Sequence, residues 1–106
     1  MRILLDPGTP ELLRRWLINH EVSTAAEQGW SAVSSLDLIQ LAQQRGYEVF
    51  ISTDVSLSHH PNLQRPAIAI LVLSTGEWER VGVIADNVAD VVNALRSGEY
   101  YEMTIP

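Results

Sequence analysis

The stretch AIAILVL, residues 67–73, decides the fold class of this chain. It contains no polar side chain, and a strand of this kind is typical of a parallel sheet covered on both faces. Two shorter runs, RILL at residues 2–5 and EVFIS at residues 48–52, precede it. Because helical patterns separate these runs, the sequence predicts a parallel sheet built from β–α–β units.

A turn and a helical pattern follow the first strand. Pro7-Gly8-Thr9-Pro10 breaks the strand, and Thr9 with a proline after it is typical of a helix start. Apolar residues then recur at the spacing of one helix face, as Leu12, Leu13, Trp16 and Leu17. We therefore expect an amphipathic helix that is capped by Thr9 and ends at Asn19-His20. Residues 21–24 predict a short second strand.

The second helix has signals at both ends. Ser34 is followed three residues later by Asp37, in the manner of a capping box. Leu38, Leu41 and Ala42 are expected to form its inner face, and Gly46 suits the left-handed conformation at which many helices end. The third strand, residues 48–52, begins directly afterwards.

The last part of the chain predicts two helices and a strand. A short helix at residues 77–80 leads into a longer one that stops at Gly98, with an inward face expected to contain Val83, Ile84, Val88, Val91, Val92 and Leu95. Residues 100–105 predict a final strand at a sheet edge, because Pro106 follows. The whole pattern predicts one domain, residues 1–106, with an α/β fold: a three-layer α/β/α sandwich with a mostly parallel central sheet.

Composition limits the classes of function. The net charge is −6, with thirteen acidic residues, seven arginines and no lysine, so the sequence does not predict the basic surface that is typical of nucleic-acid-binding proteins. The absence of cysteine excludes disulfides and thiolate metal sites. The N-terminus does not resemble a signal peptide and no apolar run is long enough to cross a membrane, so we expect a cytoplasmic protein.

Three acidic residues lie where a parallel sheet binds ligands. Asp6 and Asp54 follow the first and third strands, and ligands of open α/β sheets bind outside the carboxyl ends of the strands. Asp37 is near the start of a helix that runs antiparallel to the strands, so we expect it at the same end. Converging carboxylates repel one another unless a cation joins them, and oxygen ligands of this type favour Mg²⁺ or Mn²⁺.

Each of these residues also has a local structural explanation. A role as the third helical residue of a capping box is enough to explain Asp37. Asp54, which precedes a turn, and Asp6, which precedes Pro7-Gly8, can be turn-forming residues. For each acidic residue taken alone, the structural explanation is slightly better than a catalytic one. The placement of all three at one end of the sheet favours a site.

Several segments, in order along the chain, resemble a known family. ILLD at residues 3–6 with Pro10 resembles the LLDENLP opening of the DUF5615-type PIN-like proteins, which belong to the PIN superfamily and are related to the Mut7-C group. Residues 29–42 resemble the start of the family's acidic helix, and ISTD at residues 51–54 resembles the end of its third strand. Residues 67–74 and 102–106 are similar in kind.

The resemblance implies a predicted nuclease, often the toxin component of a toxin–antitoxin pair. It implies RNA cleavage that depends on Mg²⁺ or Mn²⁺, with Asp6, Asp37 and Asp54 as catalytic residues and metal ligands. The sequence departs from the family where Pro7-Gly8 replaces a Glu-Asn pair, and where Ser56 replaces a frequent acid or Asn.

We therefore expect a metal-dependent ribonuclease with RNA as its substrate and a small antitoxin as a possible partner. The rival hypothesis is a PIN-like module that has lost catalysis and binds a protein partner or forms a homodimer, as Pro7-Gly8, Ser56 and the negative charge suggest. A third hypothesis is a phosphatase-like enzyme that acts on a small substrate. We expect His59 and His60 to lie in a solvated turn and His20 to be structural, whereas Arg14 and Arg15 can bind phosphate or lie on an exposed helix face.

Overall fold

A computed structural model describes residues 1–60 and 67–106 of the chain. Its five strands are β1 (Arg2–Leu5), β2 (Glu21–Thr24), β3 (Val49–Ser52), β4 (Ala69–Leu73) and β5 (Tyr100–Met103). Its α-helices are α1 (Ser35–Gln44), α2 (Trp78–Val81) and α3 (Ala85–Ala94), and 3₁₀ helices form at Glu11–Trp16, Val55–His59 and Gly82–Ile84. These elements confirm the predicted order of strands and helices.

All strand pairs are parallel, and the strands lie in the order β2-β1-β3-β4-β5. The predicted α/β fold with a parallel central sheet is confirmed, and β5 lies at an edge as expected. The chain leaves β1 toward one edge to form β2 and then crosses to β3 on the other side of β1. The strand order therefore changes direction between β1 and β3.

Two apolar clusters cover the two faces of the sheet. On one face, residues of β1, β3 and β4 pack against the first 3₁₀ helix, α2 and α3; this cluster includes Ile3, Leu5, Leu13, Ile51, Leu71, Val81 and Val88. On the other face, different residues of the same three strands pack against α1 and the second 3₁₀ helix. This cluster includes Leu4, Leu38, Ile39, Ala42, Phe50, Leu57 and Ile70. The alternation of strand side chains divides the core between the two faces.

The segment after β1 differs from the prediction. Glu11–Trp16 is a 3₁₀ helix rather than an α-helix, and no side chain caps it. The Thr9 hydroxyl, which we expected to cap the helix, instead contacts Asp6 Oδ1 and the Ile51 carbonyl oxygen, at 3.0 Å each. Pro10 occupies the N-cap position of this helix, so Thr9 lies one residue too early to cap it.

The prediction that Val83 lies on the inward face of the last helix is wrong. Val83 is 82% exposed, whereas Val88 and Val92 are fully buried. A 3₁₀ turn at Gly82–Ile84 separates α2 from α3, so the 3.6-residue periodicity of α3 does not extend back to Val83. No helix in the described ranges 1–60 and 67–106 is long and apolar enough to cross a membrane.

Candidate functional site at the switch point of the sheet

The crevice beside the carboxyl ends of β1 and β3 is where an open α/β sheet of this strand order binds ligands. Asp6 directly follows β1, and its backbone N–H donates a hydrogen bond to the Ile51 carbonyl of β3 at 3.0 Å. Leu5 is aligned with Ile51 in the sheet, so Asp6 and Ser52 follow side by side. Asp54 comes two residues later, at the start of the second 3₁₀ helix. Two predicted site residues are thus at the switch point.

Asp6 is buried and fully hydrogen-bonded. Its side chain accepts bonds at Oδ1 from the Gly8 N–H and the Thr9 hydroxyl, both at 3.0 Å. Its Oδ2 accepts bonds from the Ser35 hydroxyl at 3.3 Å and from the Ser52 hydroxyl. Asp6 is only 5% exposed. A carboxylate buried without hydrogen-bond donors would destabilise the folded state, so these donors are required. The four donors hold the carboxylate in one orientation.

Ser52 joins the two acidic residues. Its side chain is completely buried at the end of β3, and its hydroxyl donates to Asp6 Oδ2 while accepting a hydrogen bond from the Asp54 N–H at 3.0 Å. Sequence reasoning missed this residue. A signal was present in the sequence. Ser52 lies two residues after Phe50, so both side chains are on the same face of a buried strand, where a polar residue is unusual.

Asp54 is partly buried and ionised. It caps the second 3₁₀ helix, where its Oδ1 accepts hydrogen bonds from the Ser56 N–H at 3.1 Å and the Ser56 hydroxyl at 2.5 Å. The Ser56 hydroxyl is the largest cause that lowers the pKa of Asp54 below its usual 3.8, and further hydrogen bonds from the Ser56 N–H and Ser35 and the charge of His60 add to it. Burial acts in the opposite direction but is outweighed. Asp54 therefore keeps its negative charge at neutral pH.

Asp37 lies differently. It is exposed in the first turn of α1, and its backbone N–H donates to the Ser34 hydroxyl at 3.3 Å. The predicted cap by Ser34 is confirmed. Within the described residues, no three His, Asp or Glu side chains form a group that could hold a metal ion. The structure thus brings Asp6 and Asp54 together and does not bring Asp37 into a group with them.

Ser35 is the second residue that sequence reasoning missed. Its hydroxyl lies 3.3 Å from Asp6 Oδ2 and also forms a hydrogen bond that lowers the pKa of Asp54. Ser35 therefore lies within reach of both carboxylates. The signal was its helical spacing, since Ser35 stands three, four and seven residues before the buried Leu38, Ile39 and Ala42.

Two glycines allow the surrounding loops to pack closely. A Cβ atom at Gly76, in the loop after β4, would lie 2.3 Å from the carbonyl oxygen of Gly8. A Cβ atom at Gly8 would lie 2.7 Å from the Thr53 hydroxyl oxygen. The loops after β1, β3 and β4 thus meet at the site, and Gly76 has no room for a side chain because the atom opposite it belongs to the backbone.

The other polar residues singled out in the sequence have partners elsewhere. His20 contacts the N-terminal amine of Met1 at 3.2 Å through Nδ1 and Asn93 Oδ1 at 2.6 Å through Nε2, which accords with a structural role. Arg14 forms ion pairs with Glu27 and, at 3.9 Å, with Glu11. His59 ends the second 3₁₀ helix and is exposed, and Arg15 lies on the exposed face of the first.

The oxygen atoms at this site fit a divalent cation bound by two carboxylates, but not one enclosed by three. A closed cage of three carboxylates does not fit the described residues, because Asp37 stands apart. Mg²⁺, however, is commonly bound by only one or two carboxylates, with water and substrate phosphates as its remaining ligands. Asp6 and Asp54, with the hydroxyl of Ser35 between them, provide such an open set of hard oxygen atoms.

No protein-family model, curated protein or solved structure matches this chain.

Proposed function

We propose that this protein is a metal-dependent ribonuclease of the toxin–antitoxin type, with Mg²⁺ or Mn²⁺ held by Asp6 and Asp54. The observation that carries the proposal is the position of these two residues: they follow adjacent strands at the switch point of the sheet, and the Ser52 hydroxyl links Asp6 Oδ2 to the backbone N–H of Asp54. The resemblance of residues 3–6, 29–42 and 51–54 to DUF5615-type PIN-like proteins supports the same reaction class.

The chain's own residues would orient the reacting groups. Thr9 and Ser52 hold the Asp6 carboxylate, and Asp54 is charged at neutral pH, as an aspartate with its usual or a lowered pKa is. When bound, a divalent cation supplies an activated water and stabilises the leaving oxygen of a phosphodiester. It also offsets the repulsion between an acidic site and an RNA backbone.

Cleavage of RNA by the purified protein tests this proposal. We expect cleavage with Mn²⁺ or Mg²⁺ that is lost in Asp54→Asn and is abolished by EDTA. Asp90→Asn, an exposed residue of α3, is the matched control and should cleave like the unmodified protein. If Asp54→Asn cleaves RNA as fast as Asp90→Asn, the activity does not come from this site and the proposal fails.

A second candidate is a PIN-like module that binds a protein partner without catalysis. It is favoured by the hydrogen bonds of Asp6, whose two carboxylate oxygens already accept four protein donors. A metal ion must displace at least one of them. This candidate predicts a folded protein whose stability does not respond to Mg²⁺ or Mn²⁺ and which cleaves neither RNA nor small phosphate esters.

The proposed function has consequences for partners and location. As a toxin of this type, the protein would act in the cytoplasm and be held inactive there by an antitoxin. A basic side chain inserted between Asp6 and Asp54 would be complementary to the site. Co-expression with the product of the neighbouring gene, followed by copurification, tests this pairing, and size-exclusion chromatography of the protein alone tests for a homodimer.

A further inference from the structure

The orientation of α1 decides which of its first residues faces the Asp6–Asp54 pair. Successive residues of an α-helix are rotated by about 100°. Leu38, Ile39 and Ala42 are buried against the sheet, and Ser35 lies on the same stripe of the helix. Asp37 is two residues further on, about 200° around the axis, and is exposed. The packing of α1 therefore turns Ser35 toward the sheet and Asp37 toward solvent.

The contacts of Ser35 follow from that orientation. Its hydroxyl donates to Asp6 Oδ2 at 3.3 Å, and a hydrogen bond from Ser35 is also one of the smaller causes that lower the pKa of Asp54. A hydroxyl has one proton, whereas ionised carboxylates can only accept hydrogen bonds. Ser35 can thus donate to only one of the two carboxylates at a time.

We infer that Ser35, rather than Asp37, is the residue of α1 that positions the Asp6–Asp54 pair for a divalent cation. This inference rests on the proposed function, and it changes the expected site from three carboxylates to two carboxylates and a hydroxyl. Hydroxyl side chains bind Mg²⁺ beside carboxylates in other phosphoryl-transfer sites, so the chemistry is suitable. Groups that orient metal ligands commonly contribute about 10- to 100-fold to metal affinity.

A purely structural role for Ser35 would give a different result, and the neighbouring serine provides the control. Ser34 caps α1 through its hydroxyl, whereas Ser35 is the first helical residue and does not cap. Ser34→Ala should therefore lower the free energy of unfolding, because the helix cap is lost, without changing metal affinity. Ser35→Ala should change metal affinity by far more than it changes the stability of the metal-free protein.

The experiment measures the Mn²⁺ dissociation constant from the electron paramagnetic resonance signal of free Mn²⁺, at about 0.15 M salt to screen distant charges. Six proteins are compared: the unmodified chain, Ser35→Ala, Ser35→Thr, Ser34→Ala, Asp37→Asn and Asp54→Asn. We expect Ser35→Ala to bind Mn²⁺ about tenfold more weakly or worse. Ser35→Thr keeps the hydroxyl and should restore binding, while Ser34→Ala and Asp37→Asn should stay within about twofold of the unmodified protein.

The outcomes separate this inference from the function on which it rests. If the unmodified protein binds Mn²⁺ and Asp54→Asn does not, but Asp37→Asn weakens binding more than Ser35→Ala, the inference about Ser35 is wrong and the proposed metal site stands. Equal affinity of Ser35→Ala and the unmodified protein would likewise overturn the inference and leave the metal site in place. If the unmodified protein does not bind Mn²⁺ at millimolar concentration, the proposed function fails and the inference fails with it.

Discussion

The Ser52 hydroxyl donates a hydrogen bond to Asp6 Oδ2 and thereby joins the carboxyl ends of the neighbouring strands β3 and β1. The same hydroxyl accepts the N–H of Asp54 at 3.0 Å, so a single buried side chain orients both acidic residues of the candidate site. The geometry of the site therefore depends on Ser52 whether or not the protein is an enzyme.

Ser52→Ala should destabilise the protein. It removes a donor from the buried carboxylate of Asp6 and an acceptor from the Asp54 N–H, and each unsatisfied group costs about 1–3 kcal/mol. Urea denaturation monitored by tryptophan fluorescence measures the loss. The control is Ser58→Ala, an exposed serine whose hydroxyl donates to the Val55 carbonyl at 3.1 Å, which should change stability by less than about 0.5 kcal/mol. Equal effects of the two variants would contradict the role given to Ser52.

The pKa of Asp54 should depend on Ser56. Removing the largest cause of the lowered pKa, by Ser56→Ala, should move the pKa of Asp54 back toward its usual 3.8. A carboxyl with a lowered pKa in the folded state stabilises that state above its unfolded pKa, and this contribution is lost as the pH falls through the folded value. NMR titration of the Asp54 carboxyl carbon in EDTA measures the shift, and an unchanged pKa in Ser56→Ala would refute the assignment.

The close approach of Gly76 to Gly8 should make Gly76→Ala costly. The added methyl group would lie 2.3 Å from the Gly8 carbonyl oxygen, which is backbone and cannot rotate away. Forced repacking of this kind costs about 1–3 kcal/mol. The added methyl should also displace the Gly8 N–H from Asp6 and shift the NMR signal of the Asp6 carboxyl carbon. Gly29→Ala has open space around it but a positive φ, so it should cost stability without moving that signal.

The boundary between α2 and α3 predicts different effects for two valines. Val83 is 82% exposed and Val88 is fully buried, so Val83→Ala should change the free energy of unfolding by less than about 0.5 kcal/mol. Val88→Ala should cost about 2 kcal/mol because it leaves a cavity in the core. Thermal denaturation of both variants checks the difference. A large loss in Val83→Ala would mean that this residue packs inward, as the sequence pattern predicts.

The strands were predictable because their signals are local. Buried parallel strands require apolar runs, and these runs, with the cap at Ser34 and the left-handed Gly46, are visible without knowledge of the fold. The 3₁₀ helix after Pro10 was not predictable in the same way. Thr9, the expected cap, instead directs its hydroxyl to the Ile51 carbonyl, 42 residues away in the sequence, and no local pattern specifies that contact.

The site was predictable only in part for a related reason. Strand ends identified Asp6 and Asp54, because the carboxyl ends of parallel strands meet at one edge of the sheet. An acidic residue at a helix start suggested Asp37, although its two-residue offset from Ser35 turns it away from the sheet. The local patterns place Ser35 and Ser52 on buried faces, but their contacts with Asp6 span 29 and 46 residues of sequence and are not specified by those patterns.

The central claim is that Asp6 and Asp54 form a divalent-cation site, and the most direct test is the melting temperature of the purified protein during a Mn²⁺ titration, beside Asp54→Asn. A ligand that binds only the folded state must raise the melting temperature. We predict a saturable rise in the unmodified protein that is absent in Asp54→Asn. No rise at millimolar Mn²⁺, or an equal rise in both proteins, would contradict the claim.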